Sequence, residues 1–337
     1  MSAAAGPTTR RCALYALLLL GAGGAPPVLL SPHWLTVTNL ALIAAVGAVA
    51  LNLLVGDSGQ VSLGQAAFLA IGAFTVVALT RDLPTPFPVA VAVAGIAGGV
   101  VGLLVGLPSL RFRALYIAVT TLALHFAVAQ GAAIYQRVAV GSDAALLPSA
   151  WLGPWELADP MAWYVVLSVV LALTLVSVTN VKRSFIGRRW LAAADNRLAA
   201  AALGVPVGRV RLEAFVFSSA LVAMAGALSA YHTGVVTGLT YQLGLAISYL
   251  AMIVVGGLGS VAGAVLGAFV IVFSRFVMDE VLAAAGFGGV AGYLSGLPPL
   301  LHGVVIIVVL LAAPRGAVVS IQDAIRRRSA RAAPTAG

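Results

Sequence analysis

Ten stretches of this chain are apolar enough to enter a lipid bilayer, and no other feature constrains its fold as tightly. A span needs about 20 mostly apolar residues to cover a hydrocarbon core of roughly 30 Å. Such runs, bounded by charges or by Pro and Gly, lie at 12–30, 35–55, 62–80, 86–109, 114–133, 161–181, 212–231, 243–257, 260–275 and 297–313. With 61% hydrophobic and 9% charged residues, 337 residues hold more apolar surface than one water-soluble core can bury. Backbone in lipid must satisfy its own hydrogen bonds, so the expectation is an all-α polytopic membrane protein. About ten transmembrane helices are expected, with eight to ten allowed by the ambiguous runs, in a single transmembrane domain over 1–337. The first run follows Arg10 and Arg11 as a signal peptide would. Its Gly- and Pro-rich end offers no clear small-residue cleavage site, so an uncleaved helix is expected. The runs at 243–257 and 260–275 share Gly-Gly-Leu-Gly-Ser and read as one long helix, two helices or a re-entrant pair.

Charge orients the spans. With a cytoplasmic N-terminus and an even number of spans, the inner segments hold Arg10 and Arg11, Arg111 and Arg113, seven basic residues between 182 and 211, and five more from Arg315 to Arg331. That is 16 of the 19 Lys and Arg, as the positive-inside rule requires. Both termini are therefore expected in the cytoplasm, with a basic tail at 317–337. The net charge of +9 is a topology signal and an attraction to anionic lipid headgroups, and it needs no nucleic-acid partner. Outside the membrane, 134–160 reads as a short external loop whose Trp151 and Trp155, with Trp163, suit an interfacial aromatic belt. Inside it, 182–211 reads as a cytoplasmic loop with a short helix from Arg188 to Leu203, closed by Gly204 and Pro206. Periodicity alone leaves open whether that basic amphipathic helix docks a partner or anchors on the membrane surface.

Chemistry-bearing patterns are few. Gly-Asp-Ser-Gly at 56–59 suggests a serine nucleophile, and His125 is the histidine deep in an apolar run, so an intramembrane serine protease is a remote alternative. Ser58, however, falls at a cytoplasmic turn of this topology. His125 reads more naturally as a buried polar helix contact, and His33, His232 and His302 lie near span ends. No acid is clearly mid-span, against an ion-driven carrier. The sole lysine, Lys182, is not preceded by a Gly-rich phosphate loop, and no His/Asp/Glu cluster has metal-ligand spacing, so no metal site and no bound cofactor are expected. One cysteine, Cys12, allows no internal disulfide. The glycines at 56, 59, 64 and 72, with small residues between them, read as close helix packing around a broken, Gly-rich segment. Ser62, Gly64 and Gln65 there, with the amides of the next helix, offer groups for a solute carboxylate. Gly256, Gly257 and Gly259 repeat the pattern weakly.

"GRRW", "AADN", "LAA" and "ALGV" within 187–205, followed by "RLEAFVFSSALVAMAGAL" from Arg211, resemble the cytoplasmic loop of permease subunits of ATP-binding-cassette (ABC) importers for branched-chain amino acids. "GQVSLGQAAFLAIGAF" (59–74), "LRFRALYIAVTTLAL" (110–124), "LAMIVVGGLGSVAGAVLGAFV" (250–270) and "PRG" (314–316) are similar to further blocks of that family in the same order. Departures from its pattern occur at Asp57, Ser58, Phe74 and Ala114, and at "VGSDAALLP" from Val140, where the family has a Gly-Gly-Thr-x-Gly external motif.

The resemblance implies a permease in the bacterial plasma (inner) membrane that moves branched-chain amino acids, with urea or short amides as the alternative cargo. It implies a second related permease subunit, two ABC ATPase subunits that supply ATP and Mg, and an extracytoplasmic solute-binding protein. Catalysis would lie on the ATPases, so this chain is not expected to be an enzyme. The coupling residues it implies are Gly187, Arg188, Arg189, Asp195, Asn196 and Gly204. The substrate path is expected at Ser62, Gly64, Gln65, Thr120, Thr121, Gly256, Gly257 and Gly259.

Overall fold

A computed structural model describes residues 31–83, 85–107, 114–284 and 303–304. The run expected at 12–30, nearly all of that at 297–313, the outlying arginines and the tail at 317–337 lie outside the described residues. All eight runs between them are helical: α1 (Pro32–Asn52), α2 (Gln65–Asp82), α3 (Phe87–Gly106), α4 (Ala114–Tyr135), α5 (Pro160–Arg183), α8 (Val207–Thr233), α9 (Leu243–Gly256) and α10 (Val261–Ala284). Between α5 and α8 lie two short helices, α6 (Phe185–Asp195) and α7 (Arg197–Ala202). Ten full spans are not seen among the described residues. Six helices are long and apolar enough to cross, and the runs that became α2 and α9 fall short of that length.

Helix starts follow local chemistry. Pro32 and Pro160 open α1 and α5 where a missing N–H costs nothing, and Asp159 accepts a hydrogen bond from Met161 N at 3.3 Å. α1 is apolar all round and buried along most of its length, so it is the core of the bundle. α10, α5, α8 and α9 pack around it. In lipid no hydrophobic force drives helices together, and close packing of small residues does so instead. α3 buries Ala90, Ala94, Gly98, Gly102 and Gly106, one residue every four, against α8. α2 meets α8 where Gly72 lies on the Ala223 carbonyl and Gly226 on the Leu69 carbonyl, leaving no room for a side chain at either.

The ambiguous segment at 243–275 is a hairpin of two helices. Gly256 sits on the Gly263 carbonyl and Gly267 on that of Met252, an antiparallel pairing around a turn at 257–260. The turn needs glycine, since Gly257 and Gly259 have φ of 103° and 77°.

On the expected outer side, α4 runs on through a π turn (Gln136–Val140), so the external segment is shorter than 134–160. Within it β1 (Ala145–Leu146) pairs antiparallel with β4 (Val235–Val236), and β2 (Trp151–Leu152) with β3 (Trp155–Glu156). The three tryptophans do not form one belt. Trp151 and Trp155 are exposed, whereas Trp163 is buried edge-on to Phe87 and His232.

Candidate functional site

The loop between α5 and α8 is built from capped turns. Ser184 ends α5 and starts α6, its hydroxyl accepting from Ile186 N at 3.2 Å. α6 turns Gly187, Trp190 and Ala193 inward, three residues apart, and leaves Phe185, Arg188, Leu191 and Asp195 exposed. Gly187 lies on the backbone of Val181 and Lys182; a Cβ there would sit 2.5 Å from Lys182 Cα. The helix expected from Arg188 to Leu203 is broken in two, because Asn196 is extended (φ −148°) and its Oδ1 caps α7 by accepting from Leu198 N and Ala199 N at 3.1 and 3.0 Å. Gly204, at φ 82°, closes α7 in the left-handed conformation.

Arg189 is half-buried, donates to both Glu213 oxygens at 3.3 Å, and lies over the Phe185 ring. It ties α6 to α8, whereas Arg188 points outward and donates to Arg183 O at 3.0 Å. Leu198 and Leu203 are over 80% exposed, and Phe185 of α6 is exposed as well.

The residues expected to line a path fall into two groups joined by α1. In the first, Thr121 Oγ1 accepts from Leu63 N at 3.1 Å, Gly64 N donates to Ser62 Oγ, and Gln65 Nε2 donates to Gly47 O at 3.0 Å. Ser62, Gln65 and Thr121 are all buried, and Thr120, beside them on α4, is half-buried. α2 begins here without a side-chain cap, leaving first-turn amides at the break between α1 and α2. His125, one turn beyond Thr121, is buried with no hydrogen-bond partner for Nδ1 among the described residues. In the second group Gly256, Gly257 and Gly259 form the α9–α10 turn, which rests on the end of α1. Tyr249 of α9 packs on Gly47, the same residue that receives Gln65.

Several structural residues were not singled out from the sequence: Asn52 and Gln136, and Gln60 and Ser218 within the family-like blocks. Gln60 is fully buried and donates to Ser58 Oγ and Arg211 O at 2.8 and 3.0 Å, bracing the α1–α2 linker against α8. Gln136 donates to Asp143 O and Val236 O and accepts from Gly238 N, stapling the outer segment to the loop before α9. Ser218 donates to Ala50 O at 2.7 Å. Their common sequence signal is an uncharged polar side chain inside or beside an apolar run. The Ser58 hydroxyl donates to Leu54 O at 2.7 Å and accepts from Gln60, so its hydrogen bonds are structural and, among the described residues, no histidine engages it. Among the described residues no group of His, Cys, Asp or Glu could hold a metal ion.

A bundle of apolar helices, six of them among the described residues long enough to cross a bilayer, with a capped helix pair at one end, defines a multi-pass membrane protein. Over residues 33–314 the sequence matches the family model described as "Branched-chain amino acid transport system / permease component", and the chain belongs to that family. It is thus a permease subunit of an ABC importer in the bacterial inner membrane. It is 29% identical over 291 residues to the high-affinity branched-chain amino acid transport system permease protein LivM of Escherichia coli K12, covering 79% of this chain and 68% of that one. LivM of Salmonella typhimurium is 28% identical over the same shares. The autoinducer 2 import system permease protein LsrC of Enterobacter sp. is 32% identical over 258 residues, 72% of each chain. No solved structure matches.

Proposed function

We propose that this chain forms half of a translocation path for branched-chain amino acids. A second, related permease supplies the other half, two ATPase subunits bind and hydrolyse ATP with Mg on the cytoplasmic side, and a solute-binding protein delivers cargo outside. The chain holds no cofactor of its own in this scheme. Both termini lie in the cytoplasm, with eight to ten spans between them. The observation that carries the reading is α6–α7, where Phe185, Leu191, Leu198 and Leu203 are all exposed among arginines, apolar side chains suited to a groove in another subunit. Docked ATPases closing on ATP move this helix pair, tilt α5 and α8, and switch the cavity from outward to inward access. Ser62, Gly64, Gln65, Thr120 and Thr121 meet the solute carboxylate with hydroxyl, amide and first-turn backbone donors.

The test is purification in mild detergent from native membranes, with identification of what is retained and uptake of radiolabelled leucine in vesicles. Two ATPases and a second permease are expected, and are lost when 188–195 is scrambled. The chain recovered alone overturns the reading. The LsrC relatives favour a second cargo. Uptake of labelled autoinducer 2, with none of leucine, isoleucine or valine, would select it.

A further inference from the structure

We infer that Lys182 is a positioning residue of the transport cycle: it links the docking helix α6 to the turn of the α9–α10 hairpin, so that movement of one is delivered to the other. The inference rests on the importer reading for its direction of work. Its geometry stands independently.

Lys182 lies at the end of α5, one residue beyond the last apolar turn, and it is the only lysine in the chain. Its Nζ makes two contacts. One is an ion pair with Asp57 Oδ1 at 2.9 Å, and the other is a hydrogen bond donated to Gly259 O at 2.7 Å. Both side chains are largely shielded, at 23% and 13% exposure, so the pair is tight and poorly screened by salt. Asn52, on the final turn of α1, grips the same hairpin turn from the other side: Nδ2 donates to Ser260 O at 2.8 Å and Oδ1 accepts from Gly259 N at 2.9 Å. Gly56 makes room for this approach, since a side chain there would collide with Gly259 N. Four residues of three segments thus converge on one glycine turn.

The other half of the linkage is covalent. α6 begins three residues after Lys182, and Gly187 rests directly on the Val181 and Lys182 backbone. α6 cannot shift at its first turn without carrying Lys182 with it. Gly59, in the linker after Asp57, also touches Ala194 at the far end of α6. Beyond the turn, α9 is a 14-residue rod whose other end is reached through the loop that Gln136 staples. The hairpin is therefore held at both ends by a buried amide side chain, but only its inner end is tied to the docking helix. Interfaces of this kind pass small displacements on as discrete shifts, because packed elements slide or hinge rather than deform.

Two measurements test the linkage. In the full chain in lipid nanodiscs, hydrogen exchange is followed in N52L and D57N. N52L removes contacts at the hairpin turn alone, yet it is expected to speed amide exchange in 185–195 threefold or more along with that in 257–261. D57N, nearly isosteric, is expected to act in the same direction more weakly. Loosening of 257–261 with unchanged exchange in 185–195 overturns the linkage. In vesicles with the ATPases present, K182M is expected to hydrolyse ATP within twofold of the wild type while solute moved per ATP falls tenfold, and K182R is expected to recover most of it. An unchanged ratio in K182M overturns the inference. Failure of the wild type to retain ATPases removes the importer reading, and the exchange measurement still decides the linkage.

Discussion

Single residues in this protein are set by how close two backbones come. Gly72 and Gly226 form the crossing of α2 and α8, each lying on a carbonyl of the other helix. Gly72→Leu inserts a side chain into a site with no space and is expected to cost at least about 1–3 kcal/mol. The measurement is the fraction of monodisperse protein surviving a heating series in detergent, which should collapse at a lower temperature than for the wild type. Asn196 acts differently, since its side chain replaces missing intrahelical partners at the start of α7. Asn196→Ala is expected to weaken α7 by about 1 kcal/mol, read as faster amide exchange at 197–202 with no change in α8. The glycine pattern was legible in the sequence as close packing around a break: Gly72, inside an apolar run, and Gly56, at the end of one, both lie on another backbone, while Gly59 serves the turn between the runs with φ 64°. Asn52 and Gln136 were not. Each lies where an apolar run ends; Asn52 reaches main-chain atoms more than 200 residues away, and Gln136, besides its near contact with Asp143 O, reaches others 100 and 102 residues away, pairings that leave no mark in the sequence.

At the level of elements, run boundaries were read well and breaks poorly. The apolar run at 212–231 became a helix from Val207 to Thr233, longer at its start because Val207, Val210 and Arg211 are buried where the helix meets α6 and the α1–α2 linker, while Arg209 stays exposed. The stretch from Arg188 to Leu203 has helix-forming composition throughout, and nothing in that composition marks the corner at Asn196, which arises from capping. The same loop holds a tie that charge patterning did not suggest, Arg189 on Glu213, 24 residues apart. The pair is part exposed, so its worth is about 0–1 kcal/mol. R189E alone is expected to loosen α6 from α8, and R189E with E213R to restore the contact. A double-mutant cycle on thermal stability and on ATPase retention checks this: restored stability without restored retention would show that Arg189 also meets the ATPase directly.

For the whole molecule, the alternation of charge carries an expectation about sides that needs no knowledge of packing. It predicts α6–α7 on the cytoplasmic face and the β segments around 145–156 on the outer face. In a Cys12→Ser background, Ser142→Cys is expected to react with a membrane-impermeant thiol reagent in intact cells, and Arg188→Cys only after permeabilisation. Equal labelling of both in intact cells would refute the topology. What the sequence left undecided was the segment at 243–275, whose length fits one long helix, two helices or a re-entrant pair, and the packing of Gly256 on Gly263 and of Gly267 on Met252 shows that the chain turns back. That hairpin has an electrical consequence. A 14-residue helix is about 21 Å long, some 9 Å less than the hydrocarbon core, so at least one of its polar ends lies below the headgroup plane and must be reached by water or by other protein polar groups. Water admitted to that end would focus the transmembrane potential onto the remaining length of α9, a field about half again as steep as across the full hydrocarbon core.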